Sequence, residues 1–276
     1  VQWLAPASPE SITPREDGMT IELDRGGRVD AGLLVAADGA GSRVRTLADI
    51  PVQRHDYGLR ALITNVATTL PQQDTTWQRF TDTGPQGFLP LHGPRASLVW
   101  YGDPDTVRTL ESLDDTHLAT TIVDGFPDEL GGVEAVLDRG SFAIGRQHAA
   151  RYVDARMALV GDAAHSIHPL AGQGLNLGLQ GVASLVRPIL AAHERSLDPG
   201  VGAALAAYER EHRPRVLAMM AATETMHRLF TGGPLGGRLG TAALIAAARA
   251  PRALRRAVVR HASGLDSLPT DSNAES

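Results

Sequence analysis

Apolar and polar positions alternate from Met19 to Leu23, stop at Arg25-Gly26-Gly27-Arg28 and resume from Val29, a pattern that predicts a hairpin. The text before it, Val1 to Arg15, carries Pro6, Pro9 and Pro14 and reads as an irregular or edge segment. Two short continuous apolar runs follow a different rule. Leu33 to Ala37 ends in Asp38-Gly39, and Arg156 to Val160 is delivered to Gly161-Asp162. Each predicts a buried strand whose carboxyl end meets a site. Between them, Leu59–Thr69, Trp77–Thr81, Gly87–Leu91, Ser97–Tyr101 and Ser141–Gln147 are rich in strand formers, with Gly-Pro pairs as punctuation. They predict an antiparallel sheet. Leu110 to Phe126 reads as one helix, Gly174 to His193 as another, and Ala203 to Phe230 as a long amphipathic helix that Pro214 should kink or interrupt. Arg238–Ala248 and Arg252–His261 read as a helical tail, and Ser263–Ser276 as a disordered end.

Composition narrows the chemistry. The 276 residues include no Cys and no Lys, so all 26 basic residues are Arg. Thiolate nucleophiles, disulfides, Cys-ligated zinc and Fe–S clusters are excluded, as are Schiff-base chemistry and a P-loop lysine. Exclusive use of Arg fits the codon bias of a GC-rich genome. A formal net charge of −5 argues against nucleic-acid binding. No run approaches the ~20 apolar residues of a membrane span.

Two constellations carry candidate chemistry. In Gly161-Asp162-Ala163-Ala164-His165, followed by Pro169 and Gly172-Gln173-Gly174-Leu175-Asn176, a carboxylate sits at a strand's carboxyl end and a glycine-rich loop opens a helix. Ligands of α/β sheets bind at such strand ends, and helix starts offer unpaired N–H groups with a positive dipole end. A flavin offers matching groups, a ribityl chain and an N1–C2=O edge that becomes negative on reduction. The plain alternative is an ordinary strand–loop–helix with a capping Asp. The glycines are costly there unless backbone must approach something closely. In Asp38-Gly39-Ala40-Gly41-Ser42-Arg43-Val44-Arg45, Ser42 can cap a turn and Arg43 and Arg45 can reach phosphate oxygens. The alternative there is a surface turn with solvated arginines.

Together the strings resemble the class A flavoprotein monooxygenases. Asp38-Gly39-x-x-Ser42-x-x-Arg45 is similar to their "DG" motif, and Gly161-Asp162-Ala163-Ala164-His165 through Pro169 to their "GD" motif. Phe88-Leu89-Pro90-Leu91, His165 to Gly178, and Tyr208-Glu209 through Arg213-Pro214 resemble the ubiquinone-biosynthesis hydroxylase branch. The resemblance implies an α/β fold. A partial FAD-binding Rossmann-like domain would comprise residues 1–50 and 150–195. A sheet-rich substrate domain would comprise 51–149, a C-terminal helical region 196–265 and a tail 266–276. It implies FAD as cofactor, NADPH or NADH as co-substrate, and an aromatic, polyprenylated phenol and O₂ as reactants, joined through a flavin C4a-hydroperoxide. It places Asp162, with Gly161 and Ala163, at the ribityl hydroxyls. Gly172, Gln173, Gly174, Leu175 and Asn176 would face the ring edge, Pro169 the reacting carbon, and Asp38, Gly39 and Arg45 the pyrophosphate and NAD(P)H. His165 is a candidate base, with a structural hydrogen bond under the loop as the preferred reading. His165 and His168 fit metal ligation by spacing alone, and no metal is expected.

Two departures from the pattern stand out. No G-x-G-x-x-G fingerprint is present, so the resemblance implies a βαβ unit upstream of Val1. Gly181 follows Gln180 where the resemblance places an acidic residue, and it puts that residue's task in doubt. The arginine-rich tail Arg238–His261 offers contact with an anionic membrane or a quinone-biosynthesis complex, in an enzyme that is cytoplasmic or peripheral to the inner face of the membrane. Two rivals remain open. One is a hydroxylase of a small soluble aromatic acid, which would need a buried Arg such as Arg60, Arg79 or Arg146. The other is a non-catalytic remnant or scaffold without flavin.

Overall fold

The structure is a computed structural model that describes residues 1–81, 84–169 and 172–231, with 238, 240–242, 245, 246, 249–253, 255, 256 and 260. The Gly232–Gly237 stretch, His261 and the polar end 263–276 lie outside the described residues. In chain order the strands are β1 (Pro9–Pro14), β2 (Met19–Leu23), β3 (Arg28–Ala31), β4 (Leu34–Ala36), β5 (Val52–Thr68), β6 (Trp77–Thr81), β7 (Gly84–Leu91), β8 (Arg95–Gly102), β9 (Val133–Ala149), β10 (Val153–Asp154), β11 (Met157–Leu159) and β12 (His165–Ser166). The helices are α1 (Arg43–Leu47), α2 (Pro104–Ser112), α3 (Asp115–Gly125), α4 (Gly174–Glu194) and α5 (Ala203–Thr231). The chain forms two compact units. One includes Val1–His55 and Arg146–Met226, the other Asp56–Gly145 and the segment that begins at His227.

In the first unit the predicted hairpin forms as β2 and β3, and the Pro-rich opening adds β1 as an edge strand. A second small sheet, ordered β10-β11-β4, joins the two apolar runs in parallel, with Met157 opposite Leu34 and Leu159 opposite Ala36. This register brings the ends of both runs to one edge. The β11 run is wholly buried. The β4 run is not, because Val35 stands 43% exposed on an outer strand. Helix α4 buries Leu177, Gly181, Ser184 and Leu185 and leaves Leu175, Leu179, Val182, Val186 and Leu190 exposed as a stripe at helical spacing. By length and composition alone α4 is long and apolar enough to cross a bilayer, with a mean hydropathy of 1.3 over its most apolar window, although Asn176, Gln180, Ser184 and Arg187 interrupt its apolar run. Its buried face shares a core with Met157, Tyr152, Leu205 and Tyr208. Tyr208 Oη donates to the Leu159 carbonyl at 2.7 Å, which fastens α5 to β11. Pro214 lies inside α5, and the helix continues through it.

In the second unit the strands run β9-β5-β8-β7-β6, and the β5–β8, β8–β7 and β7–β6 pairs are antiparallel. The period-two pattern of β5 sends Leu62 and Val66 to one face. There they pack with Phe88 and Leu98 against Val107, Leu118, Ile122 and Phe126 of the helical layer. Each such side chain contributes about 1.5–3 kcal/mol by leaving water. The single helix expected over Leu110–Phe126 is in fact two helices. Leu113 is extended (ψ 148°), and Asp114 accepts from His117 N at 3.0 Å as a new N-cap. Asp103 caps α2 in the same way through Asp105 N and Thr106 N. At the carboxyl end of β9, within the first unit, His148 pairs with His165 and Gln147 with Ser166 of β12.

Candidate functional site: a cleft at the ends of two parallel strands

The shared edge of β4 and β11 opens into a cleft of about 670 Å³ in the first unit. Its wall comes from Ala37 and Gly39 after β4, from Val160, Gly161 and Asp162 after β11, and from Ser166, Ile167 and Pro169. The first turns of α4 complete it through Gly172, Gly174, Leu175, Gly178, Leu179 and Val182. Backbone forms much of this surface. Gly161 (φ 57°) and Gly172 (φ 61°) hold left-handed conformations, and a Cβ on either would meet no atom within 4 Å, so both present bare main chain to open space. Helix α4 begins beside it without a side-chain cap, since Gln173 makes no capping bond. The first-turn N–H groups keep their donors and the dipole its positive end.

Asp162 is the acidic group on this wall. Among the described residues its carboxylate has no hydrogen-bond or ion-pair partner, and partial burial raises its pKa above the ordinary carboxylate value. An exposed, unpartnered carboxylate on the wall of the cleft can accept from ligand hydroxyls.

The two loops that carry Gly39 and Asp162 are tied together by side chains behind the wall. Arg45, 2% exposed, donates from Nη1 to the Ala163 carbonyl at 2.7 Å and from Nη2 to the Ala40 carbonyl at 2.9 Å. Gln147, also buried, donates from Nε2 to the Ala40 and Asp162 carbonyls, both at 2.9 Å, and Arg54 Nε donates to its Oε1. Burial lowers the Arg45 pKa, with Arg54 adding to the effect. Asp38 spends its carboxylate locally, accepting from Ser42 Oγ at 2.5 Å and Val44 N at 3.1 Å. Ser42 Oγ in turn caps Arg45 N. These groups shape the loop.

Of the residues singled out in the sequence, the structure brings Gly39, Gly161, Asp162, Pro169, Gly172, Gly174 and Leu175 to the wall of the cleft. Asp38, Arg45, Ala163, His165, Gln173 and Asn176 are not on it. Arg45, expected to reach a pyrophosphate, instead points at two carbonyls, because its stem lies within the core beside Val44. His165 is buried beneath the loop with its Nε2 3.0 Å from His212 Nε2. Burial, with His212 and His148 nearby, pushes its pKa down to about 3; burial, with Arg215 nearby, pushes that of His212 down to about 4, so both are neutral near pH 7. His168 is buried as well. Among the described residues no group of three or more His, Cys, Asp or Glu is placed to hold a metal. Gln147 and His212 were not singled out in the sequence. Nothing local marks them, since a strand-end Gln and a helical His acquire their tasks only from partners distant in the chain.

Comparison with known proteins agrees with this geometry. The family profile described as an FAD binding domain matches residues 12–223. The chain is 42% identical over 187 residues to the 3-demethoxyubiquinol 3-hydroxylase of Escherichia coli, covering 68% of this chain and 48% of that one. It is 41% identical over 200 residues to the ubiquinone hydroxylase UbiL of Rhodospirillum rubrum, covering 72% and 47%. The chain thus spans about half the length of the curated relatives it matches. Among solved structures, the anhydrotetracycline hydroxylase OxyS of Streptomyces rimosus superposes with a TM-score of 0.71 at 24% identity, covering 96% of this chain and 53% of that one. The p-nitrophenol 4-monooxygenase PnpA of Pseudomonas putida superposes with 0.70 at 19%, covering 93% and 66%. At those identities the likeness is one of fold. With the profile running through both loops of the cleft and through α4, the chain belongs to the FAD-binding domain family.

Proposed function

We propose that this chain serves an FAD-dependent monooxygenase that hydroxylates an aromatic ring, a polyprenylated phenol of ubiquinone biosynthesis. The observation that carries the reading is Asp162. A partnerless, solvent-exposed carboxylate stands on the wall of a cleft lined by bare glycine backbone and an uncapped helix start, and this set fits a flavin's hydroxyls and its electron-rich ring edge. Asp162 would hold the ribityl chain. The N–H groups around Gly172 to Leu175 would meet the ring edge and favour its negative form, and Pro169 would stand beside the ring. When bound, FAD reduced by NADPH or NADH supplies the oxygen transfer from O₂ to the ring. The residues of this chain orient the cofactor and exclude water; no protein nucleophile takes part.

The names of the two relatives, both ubiquinone-pathway hydroxylases, support the substrate class. So do two of the three arginines that a small aromatic acid would need: Arg79 donates to Gln86 and the Gly125 carbonyl, and Arg146 pairs with Glu224 at 3.5 Å. Arg60 donates to Ser141 Oγ and keeps a buried Nε without a hydrogen-bond partner among the described residues. We further assign peripheral membrane contact to the arginine-rich tail, where Arg252, Arg255, Arg256 and Arg260 line one hollow.

FAD titration of the wild-type chain and of Asp162→Ala tests the central claim. Loss of charge-assisted hydrogen bonds should weaken FAD binding by about tenfold to a hundredfold. Equal affinity of the two forms would remove Asp162 from the site. For the tail, co-sedimentation with anionic vesicles should fall sharply when Arg252, Arg255, Arg256 and Arg260 become Gln. Unchanged binding would reject the assignment.

A further inference from the structure

The residue that shapes the Asp162 loop from beneath lies in a different element. His212, on α5, is fully buried, and its Nε2 sits 3.0 Å from Nε2 of His165, the first residue of β12. Neutral imidazoles facing through Nε2 share one proton, so one ring donates and the other accepts. His165 continues directly from the Gly161–Ala164 turn, whose Gly161 and Asp162 line the cleft, and Ser166 and Ile167 beyond it line the same wall. The His212 ring fits because of the residue it rests on. A Cβ at Gly181 of α4 would come within 2.7 Å of His212 Nε2 and 3.1 Å of its Cδ2. Any residue larger than glycine there displaces the imidazole from its bond. Tyr208 stacks on His212 at 5.7 Å and Tyr152 packs on both imidazoles, so the ring is fixed from three sides. Gly181, read from the sequence as a departure that leaves a task unfilled, is the seat for a group delivered from another helix.

We propose that His212 is a positioning residue for the flavin loop: seated on Gly181, it holds His165 and through it sets the path of Gly161–Ile167 and the aim of Asp162. The proposal rests on reading the cleft as a flavin site, and its test separates the two. Backbone hydrogen exchange is measured on the ligand-free chain for wild type, His212→Met, His212→Gln and Gly181→Ala. The methionine fills similar space without a hydrogen bond, whereas the glutamine can restore a donor or acceptor near the lost Nε2. Exchange over Gly161–Ile167 should rise about tenfold in H212M and in G181A, stay near wild type in H212Q, and remain unchanged in the second unit. The double variant G181A/H212M should be no worse than H212M, because both remove the same bond. FAD affinity of the same proteins should follow the same order. A general packing role would loosen H212Q as much as H212M. That result, or unchanged exchange over Gly161–Ile167 in H212M and G181A, overturns the proposal. If H212M does not fold, the comparison of G181A with H212Q decides. If H212M and G181A loosen the loop while FAD affinity stays unchanged in every variant, the flavin reading of this loop falls and the positioning role stands.

Discussion

Replacement of Arg45 by methionine probes the framework behind the cleft most directly. The side chain is 2% exposed and ties the Ala40 carbonyl in its own loop to the Ala163 carbonyl, 118 residues further along the chain from Arg45. A methionine keeps much of the volume and removes both donors. The Ala163 carbonyl then loses its side-chain donor, while the Ala40 carbonyl keeps Gln147 Nε2. A hydrogen bond to a charged group contributes about 1.5–3 kcal/mol, and an unsatisfied buried acceptor costs about 1–3 kcal/mol. Release from burying a cation offsets part of this, as the lowered pKa of Arg45 indicates. The net expectation is a loss of roughly 2–4 kcal/mol, a large share of the 5–15 kcal/mol typical of a domain. Arg45→Lys should lose about half as much, since one ammonium cannot span both carbonyls as the planar fork does. Gln147→Leu should cost about 1–3 kcal/mol by itself. In the double variant the Ala40 carbonyl is deprived of both donors, so the combined loss should exceed the sum by about 1 kcal/mol. Urea unfolding at pH 7, with the midpoint compared at constant m, measures each value. An R45M loss under about 0.5 kcal/mol, or strict additivity of the pair, would refute the strut assignment.

The buried imidazoles predict acid sensitivity. With folded pKa values near 3 and 4 against an ordinary 6.5, His165 and His212 add stability that is complete above about pH 6.5 and is lost as pH falls toward 4. The slope should approach about 1.4 kcal/mol per pH unit for each ring. Glu211 and Arg215 face His212, and His148 faces His165 with Arg213 and Arg146 behind it; His148 is lowered in the same direction and steepens the loss. Urea midpoints taken from pH 7 to 4.5 should flatten in His165→Gln/His212→Gln, and parallel curves would assign the acid loss elsewhere. In the second unit, Asp114→Ala removes the cap of α3 and should cost about 1 kcal/mol, read as a lower urea midpoint. A change under a few tenths would show that packing of Leu118 and Ile122 alone sets the break between α2 and α3.

The elements that position the cleft were legible because their signals are local. A short apolar run delivered to a Gly-Asp or Asp-Gly pair marks a strand end, and the parallel pairing of β4 with β11 makes the two ends adjacent. The α2–α3 break was also written locally, in the Asp114 cap. It was obscured because the apolar positions on either side keep a helical period, so only Leu113 and Asp114 carry the extended backbone. Val35 shows the complementary error: a three-residue strand at the edge of a small sheet has an apolar run without two covered faces. Long-range tasks left no trace in spacing. Gln147 meets Ala40 across 107 residues and His165 meets His212 across 47, and neither partner can be inferred from its neighbours.

This division separates two physical reasons for the residues in the two strings. Gly161, Asp162 and Gly172 are on the wall, where bare backbone and a carboxylate are exposed to a ligand. Asp38, Ser42 and Arg45 are spent on the chain itself, through a cap and a pair of cross-links. A motif that mixes both kinds cannot be read as a roll of ligand contacts, however closely it resembles a family's pattern. The cross-links also decide where binding energy goes. The loops bearing Gly39 and Asp162 are held by Arg45 and Gln147 without any ligand, so a flavin entering the cleft need not order them. The strut variants should therefore weaken FAD binding even though neither side chain lies on the wall, and they should do so by loosening Asp162.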